Sequence, residues 1–158
     1  MSTLLDKIGD NIDRYLINLV KQSTGDLSYK RLNKCCFTVN KGSTLVHVLI
    51  KDWKEDTPLV ECISYVVREA NISEDLSKKL LLMNWEMPFG SFSIDPEDNC
   101  IVLSQCMIGS TLDEPELNIA VETIAQVADE VDDLIIESYG GITALQDLIK
   151  KQHIPVKK

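Results

Sequence analysis

From Pro115 to Gly140 apolar residues recur every three or four positions: Leu117, Ala120, Val121, Ile124, Val127, Ala128, Val131, Leu134 and Ile135. Such spacing predicts one long amphipathic helix whose stripe is too extensive to leave in water, so the rest of the chain must supply a layer to cover it. Pro115 suits the first position of that helix, Asp113 or Thr111 can cap it, and Gly140-Gly141 ends it. Its other face carries Glu122, Gln126, Asp129, Glu130, Asp133 and Glu137. No Lys or Arg occurs between Leu80 and Ile149, where 14 acidic residues fall. Like charges at i,i+4 spacing cost a few tenths of a kcal/mol per pair, which packing of the stripe must offset.

The covering layer is legible upstream. Cys35–Val39 and Thr44–Lys51 flank Asn40-Lys41-Gly42-Ser43 and form a hairpin, since Gly42 accepts positive φ. Thr44 to Ile50 is nearly all apolar, which predicts a strand covered on both faces. Asp52 to Pro58 makes a polar turn, and Leu59–Arg68 completes an antiparallel meander. A second hairpin joins Phe89–Asp95 to Cys100–Ile108 through Pro96-Glu97-Asp98-Asn99. Ahead of the sheet, Leu5, Ile8, Ile12, Leu16, Leu19 and Val20 predict a helix from about Thr3 to Gln22, capped by Ser2 or Thr3 and stopped at Gly25. Ser73 opens a short helix that buries Leu76, Leu80, Leu81 and Met83, and Ile142–Lys151 forms a last one. The order α-β-β-β-α-β-β-α predicts an α+β fold of two layers, helices packed on a five-stranded, mostly antiparallel sheet. At 158 residues the chain is read as a single domain, 1–158, with residues 152–158 a flexible basic tail.

Several classes of function are disfavoured. A net charge of −9 gives no footprint for phosphate backbones, and Trp53 and Trp85 have no basic residues interleaved for base stacking, so no nucleic-acid partner is expected. Charges interrupt every apolar run near the N-terminus, which leaves neither a membrane span nor a signal-peptide core and predicts a cytoplasmic location. Cys35, Cys36, Cys62, Cys100 and Cys106 lack a Cys-x-x-Cys pair, and with only His47 and His153 no metal site is expected. No Gly-x-Ser-x-Gly or phosphate-binding glycine loop occurs, so neither a catalytic centre nor a cofactor is expected. Glu122, Asp129, Glu130 and Asp133 share a helix face and keep open a carboxylate-based divalent-ion protein or enzyme, although one helix cannot surround an ion with oxygens.

One resemblance sharpens this reading. Met83-Asn84, the run Pro88-Phe89-Gly90-Ser91-Phe92-Ser93-Ile94-Asp95, Ile101-Val102-Leu103-Ser104, Leu112, Pro115-Glu116-Leu117 and Ala128-Asp129 resemble the type III secretion chaperone-like fold, and more closely the YbjN-type bacterial domain. By element order the resemblance covers roughly residues 5–138. It implies a noncatalytic protein-binding or chaperone-like factor of the bacterial cytosol, with a protein client and a homodimeric state; the alternative is a structural subunit or assembly factor of a larger complex. On this reading Leu76, Leu80, Leu81, Ile101 and Leu103 are candidate dimer contacts. Leu5, Ile8 and Ile12 are candidate partner contacts, and Asp129, Asp133 and Glu137 offer a surface for a basic partner.

Overall fold

The computed structural model describes residues 3–152, so residues 153–158 of the predicted basic tail, His153 among them, lie outside the described residues. Helix α1 (Leu4–Gln22) starts where Thr3 and Asp6 exchange bonds: the Thr3 hydroxyl accepts the Asp6 N–H at 3.2 Å, and the Asp6 carboxylate accepts the Thr3 N–H at 3.0 Å. Such a reciprocal cap is worth about 1 kcal/mol. Ile8, Ile12, Leu16 and Leu19 form its buried stripe. The helix stops at Ser23, whose backbone turns extended, and not at Gly25, which donates its N–H to the Ser23 hydroxyl and accepts the Leu27 N–H.

Seven strands follow where five were expected. They are β1 (Leu27–Arg31), β2 (Cys36–Lys41), β3 (Thr44–Lys54), β4 (Thr57–Arg68), β5 (Ser91–Ile94), β6 (Ile101–Ile108) and β7 (Ile142–Thr143). All pairings are antiparallel, in the order β1-β2-β3-β4-β6-β5, with β7 on the end of β4. The two unforeseen strands are β1, a polar edge strand, and β7, two residues long. The predicted polar turn over 52–58 shrinks to Glu55-Asp56, because both strands run on and Asp56 takes the left-handed conformation, φ 58°.

Helices α2 (Glu74–Glu86), α3 (Glu114–Tyr139) and α4 (Ala144–Gln152) complete the chain. Asp113 caps α3 by accepting the Glu116 N–H at 2.8 Å. Together α1 and α3 cover one face of the sheet, where Phe37, Val39, Val46, Val48, Val60, Cys62 and Leu103 meet Leu117, Ile124, Ala128 and Ile135 in a continuous core. Strand β3 is not covered on both faces: Thr44, Val46, Val48 and Ile50 are buried, while Leu45, His47 and Leu49 are half-buried on a face that α4 reaches only near Leu45 and His47. Arg68 fastens α4 there. Its guanidinium pairs with Asp98 of the β5–β6 turn and with Asp147 of α4 at 3.2 Å, and lies 5.0 Å from the Tyr65 ring centroid.

Helix α3 departs from its predicted stripe at two neighbours: Leu134 is 55% exposed, whereas Asp132 is 5% exposed. Asp132 adjoins a small polar void beside Ser43, Thr44, Ser64 and Thr143. Burial raises its pKa; the Asp133 N–H, 2.6 Å from Oδ1, opposes the shift, and the charges of Asp133 and Asp129 add to it. A raised folded pKa makes the ionised form a liability of the native state, so between about 3.9, the unfolded value, and the raised folded value, stability falls as pH rises. Asp132→Asn retains an oxygen for the Asp133 N–H and is therefore expected to raise the urea midpoint at pH 7. Below pH ~3.9, where both side chains are neutral, the gain should vanish. An Asn variant weakened at pH 7 would refute the assignment.

Candidate functional site

The α2–β5 region carries several large apolar side chains exposed close together in sequence: Leu81, Leu82, Trp85 and Phe89. The Ser73 hydroxyl accepts the Leu76 N–H at 3.1 Å to start α2, and Glu74 and Asp75 suit the positive end of the helix dipole. Three consecutive leucines, Leu80-Leu81-Leu82, cannot share one helix face, because successive side chains diverge by about 100°. Leu76 and Leu80 point into the core, at 0% and 4% exposure. That leaves Leu81 at 69%, Leu82 at 58% and Trp85 at 89% exposed on one ridge, with Phe89 at 47% beyond it. Single exposed leucines are ordinary; a run of large side chains on one surface marks a place where something docks.

Beside the ridge lies the last strand of the sheet. Asn84 acts on β5 as a neighbouring strand would: its amide nitrogen donates to the Phe92 carbonyl at 3.0 Å, and its amide oxygen accepts the Phe92 N–H at 2.6 Å. Phe92 therefore turns its backbone groups away from β6, and by the alternation of the pleat Ile94 turns its own the same way, past the reach of Asn84. A trench of about 230 Å³, lined by Leu80, Leu81, Phe92 and Ile94 with Ser77 and Ser93, separates α2 from this open edge. Gly90 feeds the strand in at φ +75°, where an added Cβ would come within 3.0 Å of Ile124 Cδ1.

The residues singled out from the sequence are distributed unevenly. Leu76, Leu80, Ile101 and Leu103 are all under 5% exposed in the core of the single chain, behind the ridge, and Leu81 alone of that group reaches the surface. On α1, Ile8 and Ile12 are buried against the sheet and Leu5 is half-buried. Asp129, Asp133 and Glu137 are exposed along α3, and Asp129 also accepts a 3.0 Å bond from Ser43, which ties the β2–β3 turn to the helix. Sequence reasoning missed Leu82 and Trp85 as surface residues, although the leucine triplet already required one of its members to face outwards.

Little in the described residues is arranged for bond chemistry. Burial raises the pKa of Cys36, Cys62 and Cys106, and pushes Cys100 up to about 11, so these thiols stay protonated at neutral pH. Burial lowers the pKa of His47, and its ring meets Tyr65 edge-on at 6.0 Å. Glu61 pairs with Lys51 and lies 3.8 Å from the Cys106 sulfur. Among the described residues no cluster of three or more His, Cys, Asp or Glu is placed to hold a metal ion, and no helix is long and apolar enough to cross a membrane.

Comparison with known proteins adds two findings. The model of a family described as "T3SS (YopN, CesT) and YbjN peptide-binding chaperone 1" matches residues 10–147. A chain in the crystal structure of the ExsC–ExsE complex is similar in fold, with a TM-score of 0.51 at 14% identity, covering 80% of this chain and 95% of that one. No curated protein matches in sequence. At that identity the structural likeness bears on the fold alone.

Proposed function

Because the chain belongs to the T3SS (YopN, CesT) and YbjN peptide-binding chaperone family, we propose that it is a noncatalytic, chaperone-like protein of the cytosol that holds an extended segment of a client protein. The observation that most supports a binding role is the ridge Leu81, Leu82 and Trp85, where large apolar side chains stand in water and call for a protein surface to cover them. An enzyme would need groups converging on a reacting atom, whereas burial keeps the Cys36, Cys62, Cys100 and Cys106 thiols protonated and Glu61 is paired with Lys51.

We assign the ridge to a second copy of the chain. A twofold axis beside α2 would set Leu81, Leu82 and Trp85 against their own equivalents, the self-complementary arrangement that closed dimers require. Leu76, Leu80, Ile101 and Leu103 would back that contact from the core. Leu81→Asp is expected to convert the dimer to a monomer while changing the unfolding stability of the single chain, compared under conditions where both proteins are monomeric, by no more than about 0.5 kcal/mol, as befits an exposed position. Sedimentation of both proteins checks this, and a wild type that stays monomeric at every accessible concentration would end the proposal.

The client reading is tested by capturing the tagged full-length protein from its native cytosol at low and high salt, with identification of what stays bound. One dominant partner, released by salt and contacting the chaperone through a single extended stretch, is the expected result. Salt sensitivity is expected because Asp129, Asp133 and Glu137 favour a basic partner, and exposed charges are screened over about 8–10 Å. Recovery of the protein alone would overturn the reading. A partner held in fixed ratio within a larger assembly would point to a structural subunit instead.

A further inference from the structure

The β3–β4 hairpin is irregular. Lys51 pairs with Leu59 and Lys54 with Thr57, so Asp52 and Trp53 together oppose Pro58, whose carbonyl accepts the Gly109 N–H on the other side of β4. A bulge of this kind re-aims the side chains it carries. Trp53 is left 64% exposed, opposite the first turn of α1, where Leu4 is 40% exposed and Leu5 half-buried.

Between them is an open cleft of about 450 Å³. Its apolar walls are Leu4, Leu5, Trp53 and Pro58; Asp52, Glu55 and Asp56 stand around them with Lys54. Three carboxylates against one ammonium give these lining residues a net charge of −2. The combination of an indole, aliphatic walls and a negative rim fits a large apolar side chain carried between cationic ones. A second copy, with net charge −9 and no basic residue from Leu80 to Ile149, is the poorer electrostatic match.

We propose that this cleft is an anchor site for the client, taking one large apolar side chain flanked by Lys or Arg from an extended protein segment. The proposal rests on the client-binding reading above and gives that client a sequence character. It also gives Leu5 a contact role, whereas Ile8 and Ile12 are buried and do not line the cleft.

The test uses the full chain carrying Trp85→Phe, so that Trp53 is the only indole. The probes are two blocked hexapeptides, Lys-Lys-Leu-Phe-Lys-Lys and Glu-Glu-Leu-Phe-Glu-Glu. Saturable blue-shifted Trp53 emission is expected with the basic peptide, binding roughly tenfold tighter than the acidic one and weakening with salt. Trp53→Ala should weaken the basic peptide roughly thirtyfold by fluorescence anisotropy of a labelled copy. Asp52→Lys combined with Glu55→Lys should reverse the preference; both positions are exposed, so the fold should persist.

Basic peptide bound without any change in Trp53 emission, or bound equally by Trp53→Ala, would overturn the cleft and leave the client reading standing on the capture experiment. Failure of the basic peptide to bind would overturn the cleft as well. A shift of Trp53 emission with protein concentration alone would assign the cleft to a second copy and overturn the proposal.

Discussion

Phe37→Ala is expected to lower the free energy of unfolding by about 3–5 kcal/mol, a large part of the ~5–15 kcal/mol typical of a whole domain. Phe37 is fully buried near the start of β2, pairs with Val48 across the ladder on the face that meets the helices, and has the Arg31 guanidinium 5.3 Å from its ring centroid. Truncation removes the ring's transfer free energy and leaves a void that strands on either side cannot close without breaking register. Urea denaturation followed by far-ultraviolet circular dichroism gives the number. Arg31→Ala serves as the control, since it removes the cation and leaves the ring. A loss below about 1 kcal/mol for Phe37→Ala would mean that the inner layer is not packed as described.

Gly141→Ala should cost at least about 3 kcal/mol, combining backbone strain with overlap. The residue holds φ +100°, and an added Cβ would sit 2.5 Å from the Arg68 carbonyl and 2.7 Å from Val67 Cγ1. The carbonyl belongs to β4 and cannot move aside. Since β7 pairs Ile142 with Arg68 and Thr143 with Val67, the damage should spread to the docking of α4. The adjacent Gly140 supplies the comparison: at φ +74° it is also strained for any other residue, but nothing lies within 4 Å of its added Cβ. Gly140→Ala should thus cost only the strain, about 1–3 kcal/mol. Equal losses at the two positions, measured by thermal unfolding, would remove the overlap from the account.

Both positions show which parts of the fold local chemistry announces. The Gly140-Gly141 stop, the Ser73 and Asp113 caps, the Gly42 turn and the α1 and α3 stripes are decided within a few residues of chain, and each was readable before any tertiary contact was known. Strand β1 escaped because Leu-Ser-Tyr-Lys-Arg looks like a polar connection. It becomes a strand through pairing with β2, and through Tyr29 and Arg31 reaching Asp10 and Asp13 of α1. Strand β7, at two residues, has no pattern to read; Val67 and Arg68 create it.

The candidate surfaces divide in the same way. Hydrophobicity marked Leu81 and Leu134 as core residues, yet both are solvent-facing, because periodicity finds the direction of a stripe but not where the opposing layer ends. Asp132 was assigned no role, since a carboxylate is seldom buried; hydroxyl-bearing neighbours from β3, β4 and β7 make its place tolerable. The sequence by itself determined the layered α+β class, the two hairpins, the acidic outer face of α3 and the family to which the chain belongs. Tertiary structure alone decided that α2 turns Leu81, Leu82 and Trp85 to water, that Asn84 holds part of the β5 edge, and that the bulge in β3 sets Trp53 opposite the start of α1. The physical reason is range. Caps, turns and amphipathic periods are properties of neighbouring residues, whereas exposure depends on which distant segment arrives to cover a side chain: Asn84 arrives at Phe92, and Leu81, Leu82, Trp85 and Trp53 are left exposed.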